Sequence, residues 1–434
     1  MTCLIIWGHK PSAGEKLALR RKLGQACVDV PQTVMDAIHA LPRSTPFYPL
    51  LLTGLSAYLA ARSDTIPAIT GRNFYLGKPE HADDAIIHTL AAFAVILGIA
   101  HCHREGLDFR AADPDAPLLQ NVFRFLHLDP SPTGAPLATT TTTTVQSMWV
   151  QGCDHEIANS TAALLLAAST VTDPVSCVMA ALTASYGLRH FGAAQRTYPT
   201  LEAIGKPDNV AGFLASVKTK NNNNNNSSPD GAGTTHERIP GVGHRVYKGA
   251  KDPRVEPMKR LLVSLAAQGF KDPLLEVAYE LERQVSADPY FRERNLHVNI
   301  DLYWPFGYTM IGIPSSLCLP MFLTSRMIGL MAHWREAMSQ RLRMWRPQQI
   351  FTGQRAQTRA RQVAEASLRT RETNDVCGPS EQNGAELQQQ HGTKLQTGSQ
   401  VECDDALDEL GPKASRDKYP FGSKADARMT ERRH

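Results

Sequence analysis

Ile239-Pro240-Gly241-Val242-Gly243-His244-Arg245-Val246-Tyr247-Lys248, followed closely by Asp252-Pro253-Arg254, is the stretch on which the reading of this chain turns. Glycines beside a proline-initiated turn let a backbone come close to a ligand. His244 can donate to a carbonyl oxygen, and Arg254 supplies a planar fork that matches a carboxylate. Together they suit an anionic keto compound. Taken alone, the run reads more readily as a Gly-rich loop with a surface histidine and an Asp-Pro helix cap.

On either side of this run the apolar residues recur at helical spacing. Ala13 to Gly24 starts after Pro11-Ser12, with Glu15 three residues beyond the serine, the pattern of a capping box. Further helices are predicted over Asp83 to His101, Glu156 to Thr170, Pro174 to Tyr186, Asn209 to Lys218 and Pro253 to Gln268. The same spacing predicts Pro273 to Ala287, Phe306 to Ile311 and Leu319 to Met338. Few segments alternate like strands, and no Gly-x-Gly-x-x-Gly or Walker sequence offers a nucleotide phosphate cradle. The fold class is therefore all-α.

The 434 residues carry a net charge of +4 spread along the chain, which argues against a nucleic-acid footprint. Eight cysteines without paired spacing are expected to be free thiols of a reducing compartment, not a disulfide scaffold. The short apolar run Cys3 to Trp7 lacks a signal peptide's basic leader and length, so secretion is not indicated, and no organelle is assigned. Leu90 to Ala100 and Phe306 to Trp334 read as buried helices; the second is interrupted by Pro314, Pro320 and Arg326, and no membrane span is expected. His101-Cys102-His103 lacks a second ligand pair at metal spacing and reads as a helix terminus, so no metal is assigned. His333-Trp334-Arg335-Glu336 reads as a group that packs and pairs at the end of its helix.

Three stretches are expected to lack structure. Ser131 to Thr144 ends in six threonines, and Asn221 to Gly233 begins with six asparagines; neither shows an apolar face, and both are predicted as surface insertions. Gln354 to His434 is poor in large apolar residues and is predicted to be a mostly disordered tail.

The opening run resembles the signature of citrate synthases, Gly-x-Gly-His-Arg-Val-Tyr-Lys followed a few residues later by Asp-Pro-Arg. The family's order continues in Cys153-Asp154-His155-Glu156 with Asn159-Ser160-Thr161, in Gly187-Leu188-Arg189-His190-Phe191-Gly192-Ala193, and in Asn299-Ile300-Asp301-Leu302-Tyr303. Ser325-Arg326 and Arg346-Pro347 follow, so the resemblance covers roughly Leu4 to Gly353. It implies a two-domain helical fold: a large domain over 1–190 returning over 312–353, a smaller mobile domain over 191–311, and the tail over 354–434. The Thr-rich insertion near 131–144 falls in the large domain, the Asn-rich one near 219–235 in the small.

Carried over residue by residue, the resemblance gives Asp301 the role of the base that removes an α-proton from an acyl-CoA thioester. It gives His190 the donor to the enolate oxygen, and His244 the group that polarises and protonates the ketone under attack. His155, His244, Arg254, Arg326 and Arg346 would hold the 2-oxoacid, oxaloacetate or a relative, and Arg346 would reach the site of the other subunit of a homodimer. Pro240, Gly241, Val242 and Gly243 would belong to the turn that reads the CoA base. CoA thioester is then a substrate, and no cofactor is implied. Arg326 also stands out without the resemblance: a charge inside an apolar helix calls for an anionic partner.

The chain departs from the family at Phe191 and at Trp304-Pro305, where small residues are usual, and it lacks the several tens of residues that usually precede the stretch resembling Leu4 to Leu23. The bulk beside His190 and Asp301 points to an acyl group other than acetyl. Three functions remain open: a citrate or alkylcitrate synthase, a 2-methylcitrate synthase using propionyl-CoA, and a catalytically weak relative that binds CoA or a protein.

Overall fold

The computed structural model describes residues 1–128, 135–226, 237–247, 249–340, 343–350 and 364–367. Residues 1–348 pack as one compact unit; residues 349–434 form a second, of which only 349–350 and a short helical piece at 364–367 are described. The expected disordered tail otherwise lies outside the described residues. Within them the architecture is helical throughout, and the one β-type pairing is an isolated antiparallel bridge between Val242 and Val298.

Pro79–Glu105 is the central helix. Its residues from Leu90 to His103 are buried on every side, as befits a helix hydrophobic all round. Pro79 opens it, and Gly106, left-handed at φ 71°, closes it. Ala13–Val28, Phe47–Ala61, Leu118–Phe125 and Ser315–Ser339 pack around it. The capping box forms as predicted: Ser12 Oγ accepts from Glu15 N at 3.2 Å, and Glu15 Oε2 accepts from Ser12 N at 2.8 Å.

Asn159–Ala168 packs along Pro174–Ser185, which Asp173 caps by accepting from Ser176 N at 2.8 Å. Val210–Asn226, Val255–Ala267 and Leu274–Ala287 follow. Each predicted helix has its counterpart, with ends shifted by up to four residues except for Asn209 to Lys218, whose helix runs on to Asn226; the one beside Asp301 begins at Trp304, with Pro305 in its first turn. The six described cysteines are free and buried.

Two expectations are corrected. The threonine run is not an unstructured insertion: Thr139 to Thr144 lie inside the helix Ala135–Gly152. Thr141, Thr144, Val145, Met148 and Trp149 are its buried stripe, at the i, i+3, i+4, i+7, i+8 spacing of a helix face. Threonine's methyl packs there, while on the exposed side Thr143 Oγ1 donates back to the Thr139 carbonyl at 2.9 Å.

The six asparagines continue the helix Val210–Asn226. It is anchored by buried Val210, Leu214 and Val217, and each added residue gains a backbone bond on an existing nucleus. Buried Asn221 accepts from Glu237 N at 2.7 Å and donates to the Glu237 carbonyl at 3.1 Å. Residues 227–236 lie outside those described.

Candidate active site

The helix Ser315–Ser339 acts as a rack. Arg326, Gly329 and His333 occupy one face at i, i+3 and i+7, and each holds one residue of the chain that leaves the helix Ala135–Gly152. Arg326 Nε donates to the Gly152 carbonyl at 2.8 Å, Gly329 N to the Cys153 carbonyl at 3.0 Å, and His333 Nε2 meets Asp154 Oδ1 at 3.0 Å. A side chain on Gly329 would run into the Cys153 carbonyl oxygen. The next residue is His155, whose placement follows from these three latches.

Arg326 is 3% exposed. The rings of Phe322 and Phe191 lie 5.1 and 5.8 Å from its guanidinium carbon, and no carboxylate comes within ion-pair distance among the described residues. Burial lowers its pKa to about 10. The anionic partner expected from sequence is not supplied by the described protein.

His155 Nε2 lies 2.8 Å from Tyr247 Oη, and its ring meets His244 edge-on at 5.3 Å. His244 Nδ1 accepts from Val246 N at 3.2 Å, which leaves Nε2 to carry the proton of the neutral ring. Burial, then the charge of Arg254, holds His244 below its ordinary value. Burial together with Arg254, Arg326 and His244 takes His155 to about 4. Both are neutral donors at pH 7.

Arg254 does not present a free fork. Its Nε and Nη2 both donate to Asp252, at 3.0 and 2.8 Å. Asp252 Oδ2 also accepts from Ile300 N at 3.0 Å, so one buried carboxylate ties Arg254 to the base of the Asp301 segment. Burial alone would raise the Asp252 carboxyl, but the hydrogen bonds and charge of Arg254 outweigh it and keep it low.

The turn Ile239 to Gly243 packs on that same segment. Gly241 (φ 78°) and Gly243 (φ 81°) are left-handed, and a Cβ on Gly241 would come 2.9 Å from Leu302 Cα. Asn299 N donates to the Gly241 carbonyl and Asn299 Nδ2 to the Gly243 carbonyl, each at 2.9 Å. Asn299 Oδ1 in turn accepts from Asp301 N at 2.9 Å, capping the short helix Ile300–Leu302. Asp301 thus sits on a rigid post. Burial, opposed by Arg254, raises its carboxyl above the ordinary carboxylate range.

His190 precedes the short helix Phe191–Gln195, its Nε2 3.1 Å from Ser160 Oγ. Burial, then Arg326 and His244, depresses it to about 4. Phe191 stacks on it at 4.3 Å, and both Phe191 and Trp304 meet Phe322 edge-on, at 5.0 and 4.9 Å. These rings and Asp301 line a cleft of about 410 Å³ that extends to Leu51 and Arg104.

His155, His190, His244, Arg254, Arg326 and Asp301 therefore share one electrostatic neighbourhood, although they come from segments scattered over some 170 residues of sequence. The site couples neutral imidazole donors and two fixed guanidiniums with one proton-accepting carboxylate. Arg346 is not joined to it: it is exposed, beside Trp345, whose N–H donates to Ser169 Oγ at 3.0 Å. Sequence reasoning gave no role to Asp252, Ser160, Tyr247 or Phe322. The first three stood inside the quoted motifs, and only contacts show what they hold.

His103 and Cys102, on the last turn of the central helix, bond the carbonyls of Leu41 (2.8 Å) and Phe125 (3.3 Å). His333 and Arg335 pair with Asp154 and Asp83, and Trp334 is buried, as expected of that group.

The family profile described as citrate synthase, C-terminal domain, matches residues 1–348. A citrate synthase-like protein, oryE, of Aspergillus oryzae is 39% identical over 81% of this chain and 74% of its own length. The alkylcitrate synthase tstJ of Talaromyces stipitatus is 35% identical over 81% and 75%. Citrate synthase from Thermotoga maritima superposes with a TM-score of 0.65 at 23% identity, covering 81% of this chain and 84% of that one. A ternary complex of the Thermoplasma acidophilum enzyme with carboxymethyl coenzyme A and oxaloacetate gives 0.66 at 23%, over 82% and 85%. Both superpositions establish the fold.

Proposed function

This chain belongs to the citrate synthase family and is an enzyme of that type, and from this we propose that it condenses an acyl-CoA with oxaloacetate and hydrolyses the thioester, releasing CoA and an alkylcitrate. Asp301 takes the α-proton of the thioester. The enolate oxygen accepts from Nδ1–H of His190, in the tautomer whose Nε2 accepts from the Ser160 hydroxyl. The α-carbon attacks the ketone carbon of oxaloacetate, and His244 Nε2–H protonates the resulting alkoxide. Water then cleaves the thioester, giving free CoA thiol and the new carboxylate. These steps require neither a metal nor a redox cofactor.

The observation that carries this reading is the buried Arg326 guanidinium, held by a main-chain oxygen and within charge reach of Asp301 and Arg254. A substrate carboxylate is the missing counter-charge. His155 and Arg254 complete the 2-oxoacid site, and Arg346 does so from the other subunit of a homodimer. Pro240 to Gly243 carry the CoA base. The segment 191–311, as the smaller domain, closes on the large one and excludes water until hydrolysis.

Phe191, Trp304 and Phe322 favour an acyl chain longer than acetyl, because they form an apolar wall that leads away from Asp301 into a cleft too large for one methyl group. Each buried methylene adds about 0.8 kcal/mol, so two extra carbons shift preference about tenfold. The test is kcat/KM for acetyl, propionyl, butyryl and hexanoyl thioesters with oxaloacetate. A rise toward the longer chains supports the alkylcitrate reading, a maximum at propionyl makes it a 2-methylcitrate synthase, and a maximum at acetyl an ordinary citrate synthase. Absence of CoA release from every thioester leaves the catalytically weak relative.

A further inference from the structure

The cleft beyond Asp301 is not apolar along its whole length. Arg104, on the last turn of the central helix, also lines it. Its Nη1 donates to the Thr45 carbonyl at 2.6 Å, and its guanidinium carbon lies 4.8 Å from the centre of the Phe47 ring. Its Nε is buried and has no hydrogen-bond partner, and no carboxylate pairs with it among the described residues. The head group is therefore fixed by a carbonyl and a ring, with a buried donor left over. A guanidinium held in this way suits a planar anion, since its fork is already oriented.

Resting on the condensing reaction proposed above, we infer that Arg104 is the specificity residue at the far end of the acyl cleft, and that the favoured substrate is an ω-carboxyacyl-CoA, the monothioester of a dicarboxylic acid. The thioester end reaches Asp301. The methylenes run along Phe191, Trp304 and Phe322, and the free carboxylate pairs with Arg104. A plain alkyl chain of the same length fills the same wall but leaves the Arg104 charge unmatched. Discrimination of this kind is larger than a methylene supplies, because a site built for a hydrogen-bonding group penalises the analogue that lacks it.

The test compares kcat/KM, by CoA release with oxaloacetate, for length-matched pairs: hexanoyl against adipoyl, octanoyl against suberoyl, and decanoyl against sebacoyl thioesters. Wild type, Arg104→Leu and Arg104→Lys are assayed, with melting temperatures taken alongside. Wild type is expected to favour the ω-carboxy member of at least one pair by about tenfold or more. Arg104→Leu should erase that preference while leaving the alkyl member within about threefold, and Arg104→Lys, which keeps the charge but not the fork, should retain part of it.

The inference is overturned if wild type turns over the alkyl thioesters with no gain from the carboxylate, or if the gain survives Arg104→Leu. It is also overturned if either variant loses all thioesters in equal proportion, which would assign Arg104 to CoA or to the fold. Should Arg104→Leu fail to fold, the Lys variant decides alone. In each of these cases the condensing function stands. Only a wild-type enzyme that releases no CoA from any thioester removes both.

Discussion

Arg326 Nε donates to the main-chain oxygen of Gly152 at 2.8 Å, so the most deeply buried guanidinium of the site is positioned by the backbone and its charge is left for a ligand. Replacing it with leucine keeps the bulk against Phe322 and Phe191 and removes that charge. Arg326→Leu is expected to weaken oxaloacetate binding by roughly 2 to 5 kcal/mol, the range for removing one side of a buried charge pair. Calorimetric titration with oxaloacetate checks it, and an unchanged dissociation constant would take Arg326 out of the binding site.

Gly329 is expected to tolerate no side chain, because a Cβ there would occupy the space of the Cys153 carbonyl and come 2.8 Å from Asp154 Oδ1. Both are fixed points of the segment that ends in His155. Gly329→Ala should lower stability by roughly 1 to 3 kcal/mol and weaken oxaloacetate binding as His155 shifts. Thermal unfolding and the same titration report the two effects. A variant with wild-type values in both would mean that the latch does not set His155.

Stability should depend on pH through the neutral histidines. In the unfolded chain they protonate near 6.5, whereas His155 and His190 in the fold do so only at about 4. Between these values the unfolded chain binds more protons, so stability is fully present above 6.5 and falls as pH drops toward 4. Asp301 acts with the opposite sign, because its raised carboxyl is protonated in the fold before it is in the unfolded chain. Melting temperature is expected to fall between pH 7 and pH 4.5, and His190→Gln should flatten the decline. An equally steep decline in that variant would show that His190 is not the buried neutral group described.

Arg346 lies apart from the site of its own chain, which suits a residue lent to another subunit. Arg346→Ala and Asp301→Asn chains, each inactive alone, should regain activity when mixed, since a heterodimer then contains one intact site. If purified heterodimers stay as inactive as either parent, and sedimentation gives monomers, the shared site is wrong.

Much of the fold was legible because long apolar helices announce themselves: the periodicity of Leu319 to Met338 and the Ser12/Glu15 pair appear in the structure almost as read. The threonine and asparagine runs have the composition of loops, but their phase on the helix decides what they bury. Thr141 and Thr144 continue the stripe of Val145, Met148 and Trp149, and Asn221 is buried by its bonds to Glu237. The cluster of His155, His190, His244, Arg254, Arg326 and Asp301 is implied by the family resemblance, but not the commitment of the Arg254 fork to Asp252. Nor could the cleft be read from sequence, since Leu51, Arg104, Phe191 and Phe322 meet only through the packing of distant helices.

The role of Asp301 as the base of an acyl-CoA and oxaloacetate condensation is tested by CoA thiol release from wild type and from Asp301→Asn, each with and without oxaloacetate. The amide keeps the shape of the carboxylate and the capping bond from Asn299 to the Asp301 main chain, but it cannot accept the α-proton. Wild type should release thiol only when oxaloacetate is present. The variant should fall by roughly 10²- to 10⁴-fold while still binding oxaloacetate. Release by Asp301→Asn at the wild-type rate, or release by wild type that does not depend on oxaloacetate, would contradict it.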